Sequence, residues 1–329
     1  MKDFDIVLAS GSEHLKTSFQ EHDFRVFTSA LNYDRKRLFP NADIYAKIED
    51  VSELSNRRVV VIQACTGSGP AEKEPYTTSD RVVELLLLLD LLSRPVAVKK
   101  VGHKEYECNC IAPPVHVEVV LTFQPFALQD KAFRTGEAVS ARWAIETIAK
   151  ACNKVWVVNP HAPDSLEWIQ ALRDQNLYES IDVIPDLVEY AKKQFKFKNP
   201  VLVTPDEGAQ ERYQIEGFGK NRENSFKVEI TGDLDVRDKE VIIVDDLTKS
   251  GSTLLKAKDR LRNQGADDVG MAVAHALPLI GKGEERLEEL LEKARGKVVT
   301  TNTILTETFC NQNPQLTYNI VETLVKVLK

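Results

Sequence analysis

One segment in the C-terminal half constrains the fold more than any other part of the chain. Four β-branched residues, Val241–Val244, are followed by two acids, a loop of small residues and an apolar-periodic stretch that ends at Gly265. An uninterrupted aliphatic run of this length is typical of a buried strand in a parallel sheet. Leu254, Ala257 and Leu261 share one helical face, and glycine is a frequent helix stop. The pattern predicts a strand, a loop and a helix in an α/β fold.

The loop between this strand and this helix has the chemistry of an anion site. The strand ends in Asp245 and Asp246, and the loop that follows carries hydroxyls at Ser250, Ser252 and Thr253. Open α/β sheets bind ligands at the carboxyl ends of their strands, and helix N-termini present N–H groups to anions. The carboxylates suit sugar hydroxyls or Mg²⁺, and the loop suits a phosphate. An ordinary strand–turn–helix is the alternative, but two adjacent acids are costly without a counter-charge.

Length and composition favour a soluble protein of two domains. The 329 residues exceed a typical single core, and hydrophobic and charged residues make up 43% and 28% of the chain. The net charge of −7 argues against nucleic acid as the main partner. The longest apolar run is too short to span a membrane, no secretory signal is expected, and sparse cysteines fit a reducing compartment. We therefore expect a cytoplasmic protein that binds neither nucleic acid nor membrane.

Aliphatic strand candidates alternate with helical periodicity along the chain. This alternation predicts mostly parallel sheets with right-handed crossovers. The pattern has a similar length in both halves, so we expect two tandem α/β domains, residues 1–176 and 177–329, that meet after the polar segment Asp164–Gln175. The strand candidates are Asp5–Ala9, Arg58–Gln63, Val117–Thr122, Lys154–Asn159, Pro200–Thr204, Glu240–Asp245, Val269–Ala274 and Lys297–Thr301. The helix candidates are Asp80–Leu92, Glu137–Ala151, Pro185–Gln194, Leu254–Gln264 and Glu284–Ala294.

Two segments stand outside this alternation. Residues 98–116 show no clear periodicity, and their Cys108 and Cys110 lie near two histidines. The C-x-C spacing lacks the second pair of ligands that a zinc site needs, so a surface loop or hairpin is favoured. The C-terminal tail is expected to be helical and to dock onto the body. Its apolar face would consist of Ile320, Leu324 and Leu328.

Further charged residues fit phosphate chemistry. Lys220 and Arg222 lie two residues apart, so in an extended chain both would point the same way and could neutralise a polyphosphate during transfer. A solvated basic turn is the alternative for this pair. Asp206 and His161 each follow a strand candidate, and parallel strands bring such residues to one edge of a sheet. Together with nucleotide oxygens they suit Mg²⁺ held by few protein ligands.

In order along the chain, seven motifs resemble those of the ribose-phosphate pyrophosphokinase family, also called phosphoribosyl pyrophosphate (PRPP) synthetases. The resemblance covers nearly the whole chain. The segment 245–253 also resembles the PRPP loop of the phosphoribosyltransferase fold, in a form similar to the plant-type class II enzymes. The seven motifs are Phe39–Ile48, Phe123–Lys131, Phe133–Ala141, Asn159–Ala162, Thr204–Gly208, Lys220–Arg222 and Val299–Ile304.

The resemblance implies an enzyme that transfers pyrophosphate from Mg-ATP to the C1 hydroxyl of ribose 5-phosphate, giving PRPP and AMP. It also implies a homo-oligomer of chains with two tandem type I phosphoribosyltransferase-like domains, the first for the nucleotide and the second for the ribose phosphate. The implied catalytic residues are Lys220 and Arg222. The implied ribose 5-phosphate residues are Asp245, Asp246, Lys249, Ser250, Gly251, Ser252 and Thr253. The implied ATP residues are Asn41, Asp43, Gln129, Asp130 and His161, and the implied Mg²⁺ ligands are His161 and Asp206.

Several positions depart from the family pattern. Lys249 replaces the third acid of the common loop, Leu128 replaces a nucleotide-contacting arginine, and Asn159 replaces an aspartate. The stretch 41–43 replaces Asp-Gly-Glu with Asn-Ala-Asp. Two alternatives therefore stay open: a phosphoribosyltransferase, which normally has one domain, and a non-catalytic PRPP-synthetase-associated subunit with a damaged nucleotide site. The retained basic pair and the retained histidine and aspartate favour the enzyme.

Overall fold

The aliphatic runs predicted as strands pair into two separate parallel sheets. The chain divides into two units: the first runs to Ile181 and includes Val325–Lys329, and the second covers Asp182–Leu324. This division falls shortly after the predicted domain boundary. The structure, a computed structural model, describes residues 2–67, 76–162, 164–205, 234–280 and 282–329 and the backbone of 219–222 and 228–231.

The first unit contains a six-stranded parallel sheet. In chain order the strands of this unit, of which β4 and β5 lie outside the sheet, are β1 (Phe4–Leu8), β2 (Val26–Thr28), β3 (Arg58–Ala64), β4 (Val96–Gly102), β5 (Glu105–Cys110), β6 (His116–Phe123), β7 (Lys154–Val158) and β8 (Tyr178–Ile181). The sheet order is β2-β1-β3-β6-β7-β8. Its described helices are α1 (Lys16–Glu21), α2 (Thr78–Ser93), α3 (Ser140–Ala149) and α4 (Glu167–Asp174).

Helices α2, α3 and α4 contribute to one core with the sheet of the first unit. Leu85, Ile145 and Ile169, one from each helix, belong to the same buried cluster as Val59 and Val61 of β3. β3 is buried along nearly its whole length because apolar residues occupy both of its faces, as expected for an internal parallel strand. α4 lies within the polar segment that precedes the predicted boundary, and its apolar face explains why that segment folds as a helix.

β4 and β5 form a separate antiparallel hairpin. Their residues are exposed, apart from the half-buried Gly102 at the end of β4. Cys108 and Cys110 lie on β5 as exposed free thiols. The prediction of a surface loop or hairpin for residues 98–116 is therefore confirmed as a hairpin.

The second unit contains a five-stranded parallel sheet in the part of the chain that the structure describes. The described strands of this unit, of which β10 and β11 lie outside the sheet, are β9 (Val201–Val203), β10 (Gly219–Arg222), β11 (Val228–Thr231), β12 (Glu240–Thr248), β13 (Asp268–Ala276), β14 (Val298–Thr301) and β15 (Thr317–Tyr318). The sheet order is β15-β14-β13-β12-β9, and β10 and β11 form an antiparallel pair. The described helices that follow α4 are α5 (Ile184–Phe195), α6 (Ser252–Asn263), α7 (Glu285–Lys293) and, at the C-terminus, α8 (Val321–Val327).

The strand that carries the acidic pair is longer than predicted. β12 was predicted to end at Asp245, but it continues to Thr248, which pairs with Ala276 of β13. Thr248 O also accepts a hydrogen bond of 2.8 Å from Leu277 N–H, which ties the end of β12 to the end of β13. The acids therefore lie within the hydrogen-bonded sheet rather than after it.

The predicted helical tail is present as α8. Its predicted apolar face is fully buried, as expected for a terminal helix that docks onto the body. That face consists of Ile320, Leu324 and Leu328. Of the helices that the structure describes, none combines the length and the apolar character that crossing a bilayer demands.

Candidate functional site

The acidic pair lies on a central strand of the second sheet. β12 has β13 on one side and β9 on the other, and it is parallel to both. Asp245 and Asp246 are 8% and 2% exposed, and Asp246 N–H donates to Asp245 Oδ1 at 3.0 Å. Buried carboxylates need hydrogen-bond donors or cations around them. Carboxylate oxygens at this end of β12 can accept hydrogen bonds from sugar hydroxyls or bind a divalent cation.

A tight loop leads from β12 into α6. Gly251 is the N-cap of α6 with a φ of 67°, a left-handed conformation that glycine adopts without strain. Its N–H donates to Thr248 Oγ1 at 3.1 Å, and its carbonyl accepts from Leu255 N–H at 2.8 Å. A glycine N-cap has no side chain that could accept hydrogen bonds from the first-turn N–H groups. These N–H groups, which form the positive end of the helix dipole, can therefore bind an anion.

Polar side chains of the loop lie beside these N–H groups. Ser250 Oγ lies 3.4 Å from Ser252 Oγ, and Thr253 follows in the first turn of α6. Lys249, Ser250 and Thr253 are half-buried, and Ser252 is exposed. The first turn of α6 contains no acid that would repel a phosphate. The predicted sugar-phosphate residues are thus contiguous along β12, the loop and the start of α6.

Gly251 also packs closely against α7. A Cβ added to Gly251 would lie 2.4 Å from Leu290 Cδ1, much closer than carbon atoms normally approach. Leu290 is fully buried in the core of this unit, so it cannot move away freely. Both the left-handed φ and the contact with Leu290 therefore require glycine at this position.

We expect Gly251→Ala to lower the free energy of unfolding by about 2–4 kcal/mol, because left-handed strain and overpacking each cost about 1–3 kcal/mol. Urea denaturation would measure the change. Gly296→Ala is the matched control, because Gly296 has a φ of 72° and nothing lies within 4 Å of its added Cβ. If both variants lost the same free energy of unfolding, the contact with Leu290 would contribute nothing to stability.

The candidate nucleotide residues lie on three loops that follow strands of the first sheet. Asn41 and Asp43 are exposed on the loop after β2, where Asn41 Nδ2 donates to Asp43 Oδ2 at 2.6 Å. Gln129 and Asp130 lie on the loop after β6, and the half-buried His161 follows the neighbouring strand β7. Because parallel strands end at the same edge of a sheet, we expect the loops after β2, β6 and β7 to begin on one side of the unit.

Hydrogen bonds tie the loop after β6 to neighbouring helices. Gln129 Oε1 accepts from Ser140 Oγ at 2.8 Å, at the start of α3. Asp130 is buried, and its carbonyl accepts from Trp168 Nε1 at 3.2 Å. Leu128, at the position where the resemblance has an arginine, is 50% exposed. This loop therefore holds Gln129 and Asp130 in place and presents an apolar side chain where the family pattern has a cation.

The remaining predicted residues can be placed only in part. The backbone of Lys220 and Arg222 is extended in β10 and pairs with β11. The side chains of this pair, and Asp206 as a whole, lie outside the described residues. The expectation that Asp206 and His161 follow strands of one sheet is wrong, because β7 belongs to the first sheet and β9 to the second. In the part of the chain that the structure describes, no group of three or more His, Cys, Asp or Glu side chains is arranged to hold a metal ion.

Three residues that contact the candidate site of the second unit or its strand were not predicted. Thr248 accepts the Gly251 N–H, and Leu290 packs against Gly251. His275 of β13 is buried, pairs in register with Leu247 of β12, and has Nδ1 2.8 Å from Thr303 Oγ1. A histidine within the aliphatic run of β13 was a usable signal, because buried polar groups need hydrogen-bond partners. The contact with Leu290 had no sequence signal.

Comparisons with known proteins agree with this site and fold. The phosphoribosyl transferase domain model matches residues 210–312. The ribose-phosphate pyrophosphokinase of Pyrococcus furiosus is 26% identical over 312 residues, covering 92% of this chain and 94% of that protein. The ribose-phosphate pyrophosphokinase of Methanosarcina mazei is 30% identical over 281 residues, covering 79% and 81%.

A solved structure has the same fold. The phosphoribosylpyrophosphate synthetase from Mycobacterium smegmatis matches with a TM-score of 0.70 and 22% identity, covering 99% of this chain and 98% of that one. This match confirms the predicted α/β architecture of mostly parallel sheets flanked by helices. The 30% identity to the Methanosarcina mazei protein, over 79% of this chain, identifies the family. The chain belongs to the ribose-phosphate pyrophosphokinase family.

Proposed function

We propose that this protein is a ribose-phosphate pyrophosphokinase, which transfers the pyrophosphoryl group of ATP to ribose 5-phosphate and forms PRPP and AMP. One observation carries the proposal: the buried pair Asp245 and Asp246 leads directly into a glycine-capped helix N-terminus, in a chain that belongs to this family. A sugar phosphate combines the two chemical groups that such a site suits, hydroxyls for carboxylates and a phosphate for N–H groups.

Ribose 5-phosphate binds at the second unit in this proposal. Its 5-phosphate accepts hydrogen bonds from the N–H groups and hydroxyls of residues 250–253, and Lys249 adds positive charge. Its ring hydroxyls donate to Asp245 and Asp246. Because charge-assisted hydrogen bonds are stronger than neutral ones, this arrangement favours a phosphorylated sugar over a free sugar.

ATP binds to residues of the first unit in this proposal. Asn41, Asp43, Gln129 and Asp130 bind its nucleoside part, and His161 orients its phosphates. The Asn41–Asp43 hydrogen bond and the ties of Gln129 and Asp130 to neighbouring helices support this assignment, since they preorganise the two loops. Leu128 offers no charged group to the base, so we expect a broader choice of nucleotide than an arginine at this position would allow.

The reaction is an in-line displacement at the β-phosphorus of ATP. The oxygen of the C1 hydroxyl forms a bond to this phosphorus, and the bond between it and the bridging oxygen of the α-phosphate breaks. AMP leaves with that oxygen, and the hydroxyl proton passes to solvent. Lys220 and Arg222 neutralise the charge that spreads over the transferring group, which is the main task of a protein in phosphoryl transfer.

Magnesium fits the donor groups of the proposed sites. Asp206, Asp245 and Asp246 offer the hard carboxylate oxygens that Mg²⁺ prefers, and the described residues contain no ready-made cluster of three ligands. Such an ion is typically bound by one or two carboxylates and by substrate phosphates. His161 would add an imidazole nitrogen on the nucleotide side. When bound, it neutralises phosphate charge and orients the leaving group.

The alternatives differ in what they consume. A pyrophosphokinase forms AMP only when ATP and ribose 5-phosphate are both present, whereas a phosphoribosyltransferase consumes PRPP and a nucleobase and releases pyrophosphate. A non-catalytic subunit does neither alone. Chromatographic quantification of AMP, with each substrate omitted in turn, tests the proposal. We expect AMP to require both substrates and Mg²⁺, and pyrophosphate release from PRPP with a nucleobase would support the transferase instead.

Self-association is part of this proposal because the family resemblance implies it. Size-exclusion chromatography with light scattering would determine the mass in solution. We expect a mass of two or more times the 37.0 kDa of a single chain.

A further inference from the structure

A buried arginine lies at the base of the loop that carries Asn41 and Asp43. Arg37 is only 9% exposed. Its Nη2 lies 2.6 Å from Glu13 Oε2, and its Nη1 donates to Ser29 O at 3.0 Å. An arginine is rarely buried unless it is paired, because removing its charge from water is costly. Its burial here therefore requires the partners that surround it.

The second acid near Arg37 is anchored in the core. Glu84 on α2 is fully buried, and its Oε1 lies 3.8 Å from Arg37 Nη1. The Glu84 carboxylate also accepts from Ser10 N–H at 3.2 Å and from Gln63 Nε2 at 3.0 Å. These bonds fix Glu84 to the loop after β1 and to β3. Arg37 is thus attached to groups that do not move independently of the sheet.

A narrow hairpin rises from Arg37 to the tip of the loop. Arg37 O accepts from Tyr45 N–H at 2.7 Å, and Phe39 N–H donates to Asp43 O at 2.8 Å. The rings of Phe39 and Tyr45 pack edge to face with centroids 5.6 Å apart. Asn41 lies at the tip between these contacts. The position of the tip therefore depends on the anchoring of its base.

Asn32 forms hydrogen bonds with the backbone on both sides of Arg37. It is buried, and its Oδ1 accepts from the N–H groups of Asp34 and Lys36 at 2.9 and 3.0 Å. Its Nδ2 donates to Leu38 O at 3.2 Å. These bonds hold the backbone next to Arg37 in a defined turn. The loop is thus clamped at its base while its tip stays exposed.

We infer that Arg37 is a positioning residue for the nucleotide: it does not touch ATP but holds the hairpin that presents Asn41 and Asp43. The inference rests on the proposed function, because it assumes that these two residues bind ATP. A small misplacement of a binding group can cost a large factor in rate or affinity. Loss of the clamp should therefore weaken ATP binding without changing the site for the sugar phosphate.

The test compares Arg37→Met with Arg25→Met. Arg25 forms a bidentate ion pair with the buried Asp5 in the same unit, at 2.8 Å for both bonds, so its loss also removes a partly buried ion pair. We expect both variants to lower the melting temperature. Only Arg37→Met should raise the KM for ATP, by about 10- to 100-fold, with the KM for ribose 5-phosphate unchanged. Arg37→Lys keeps the charge and should recover part of the ATP affinity.

Each outcome bears on the role of Arg37. An unchanged KM for ATP in Arg37→Met, or equal changes in both variants, would make Arg37 a structural residue only. If Arg37→Met does not fold, Arg37→Lys is compared with Arg25→Met instead. An ATP affinity of Arg37→Lys equal to that of the wild type would then overturn the inference. If the wild type forms no AMP, the proposed function fails. Calorimetric titration with ATP then tests Arg37 separately, and a wild type that binds no ATP would overturn the inference as well.

Discussion

Replacing Lys220 with alanine is expected to lower kcat by about 10²- to 10³-fold, the loss that follows removal of one preorganised group that stabilises charge in a transition state. The fold should persist, because Lys220 lies in the two-stranded β10–β11 ribbon, outside the five-stranded sheet. Steady-state kinetics at saturating ATP and ribose 5-phosphate would measure kcat, and circular dichroism would verify the fold.

The control for this variant is Lys193→Ala. Lys193 is an exposed lysine on α5, so the substitution removes the same charge from the same unit without touching the proposed site. We expect its kcat to equal that of the wild type. Near-normal turnover of Lys220→Ala would remove Lys220 from the transfer step. Similar losses of kcat in both variants would mean that turnover depends on the net charge of the unit and not on the position of Lys220.

Replacing Asp246 with asparagine is expected to raise the KM for ribose 5-phosphate by about 10- to 100-fold, because a hydrogen bond to a charged group contributes about 1.5–3 kcal/mol. Asparagine keeps the shape of the side chain but lacks the negative charge that accepts from sugar hydroxyls. The KM for ATP should change much less. Asp245→Asn should behave in the same way, and substrate titrations of AMP formation would measure both constants.

Asp268→Asn is the matched control for the acidic pair. Asp268 begins the neighbouring strand β13 and forms an ion pair of 2.7 Å with Arg262, so the same substitution removes a structural carboxylate from the same sheet. We expect a small loss of stability and an unchanged KM for ribose 5-phosphate. If Asp246→Asn left this KM unchanged, the carboxylates would not bind the sugar, and the assignment of the site would be wrong.

The strands that the sequence predicted well are internal ones. β3 and β12 each contain four consecutive β-branched residues, because both faces of an internal parallel strand are covered. β2 and β8 were missed. Both lie at the edges of the first sheet, and both are short. β8 contains the polar residues Glu179 and Ser180, so it has no aliphatic run that a pattern could detect.

The site was predicted where its residues are contiguous in sequence. Asp245 to Thr253 form one strand–loop–helix, so residue type and order were sufficient to predict the elements that carry the candidate site. What could not be predicted are contacts between distant segments, such as Gly251 with Leu290 and Ser10 with Glu84. Such contacts depend on the packing of whole elements, which local periodicity does not encode.

The most direct test of the central claim is phosphorus-31 NMR of the protein with ribose 5-phosphate, ATP and Mg²⁺. The account predicts that AMP and PRPP appear in equal amounts as ATP declines, because the β- and γ-phosphates move together to the C1 oxygen. Formation of ADP together with a ribose bisphosphate would contradict it, since a single phosphoryl group would then have moved. An ATP signal that does not change when ribose 5-phosphate is added would also contradict it.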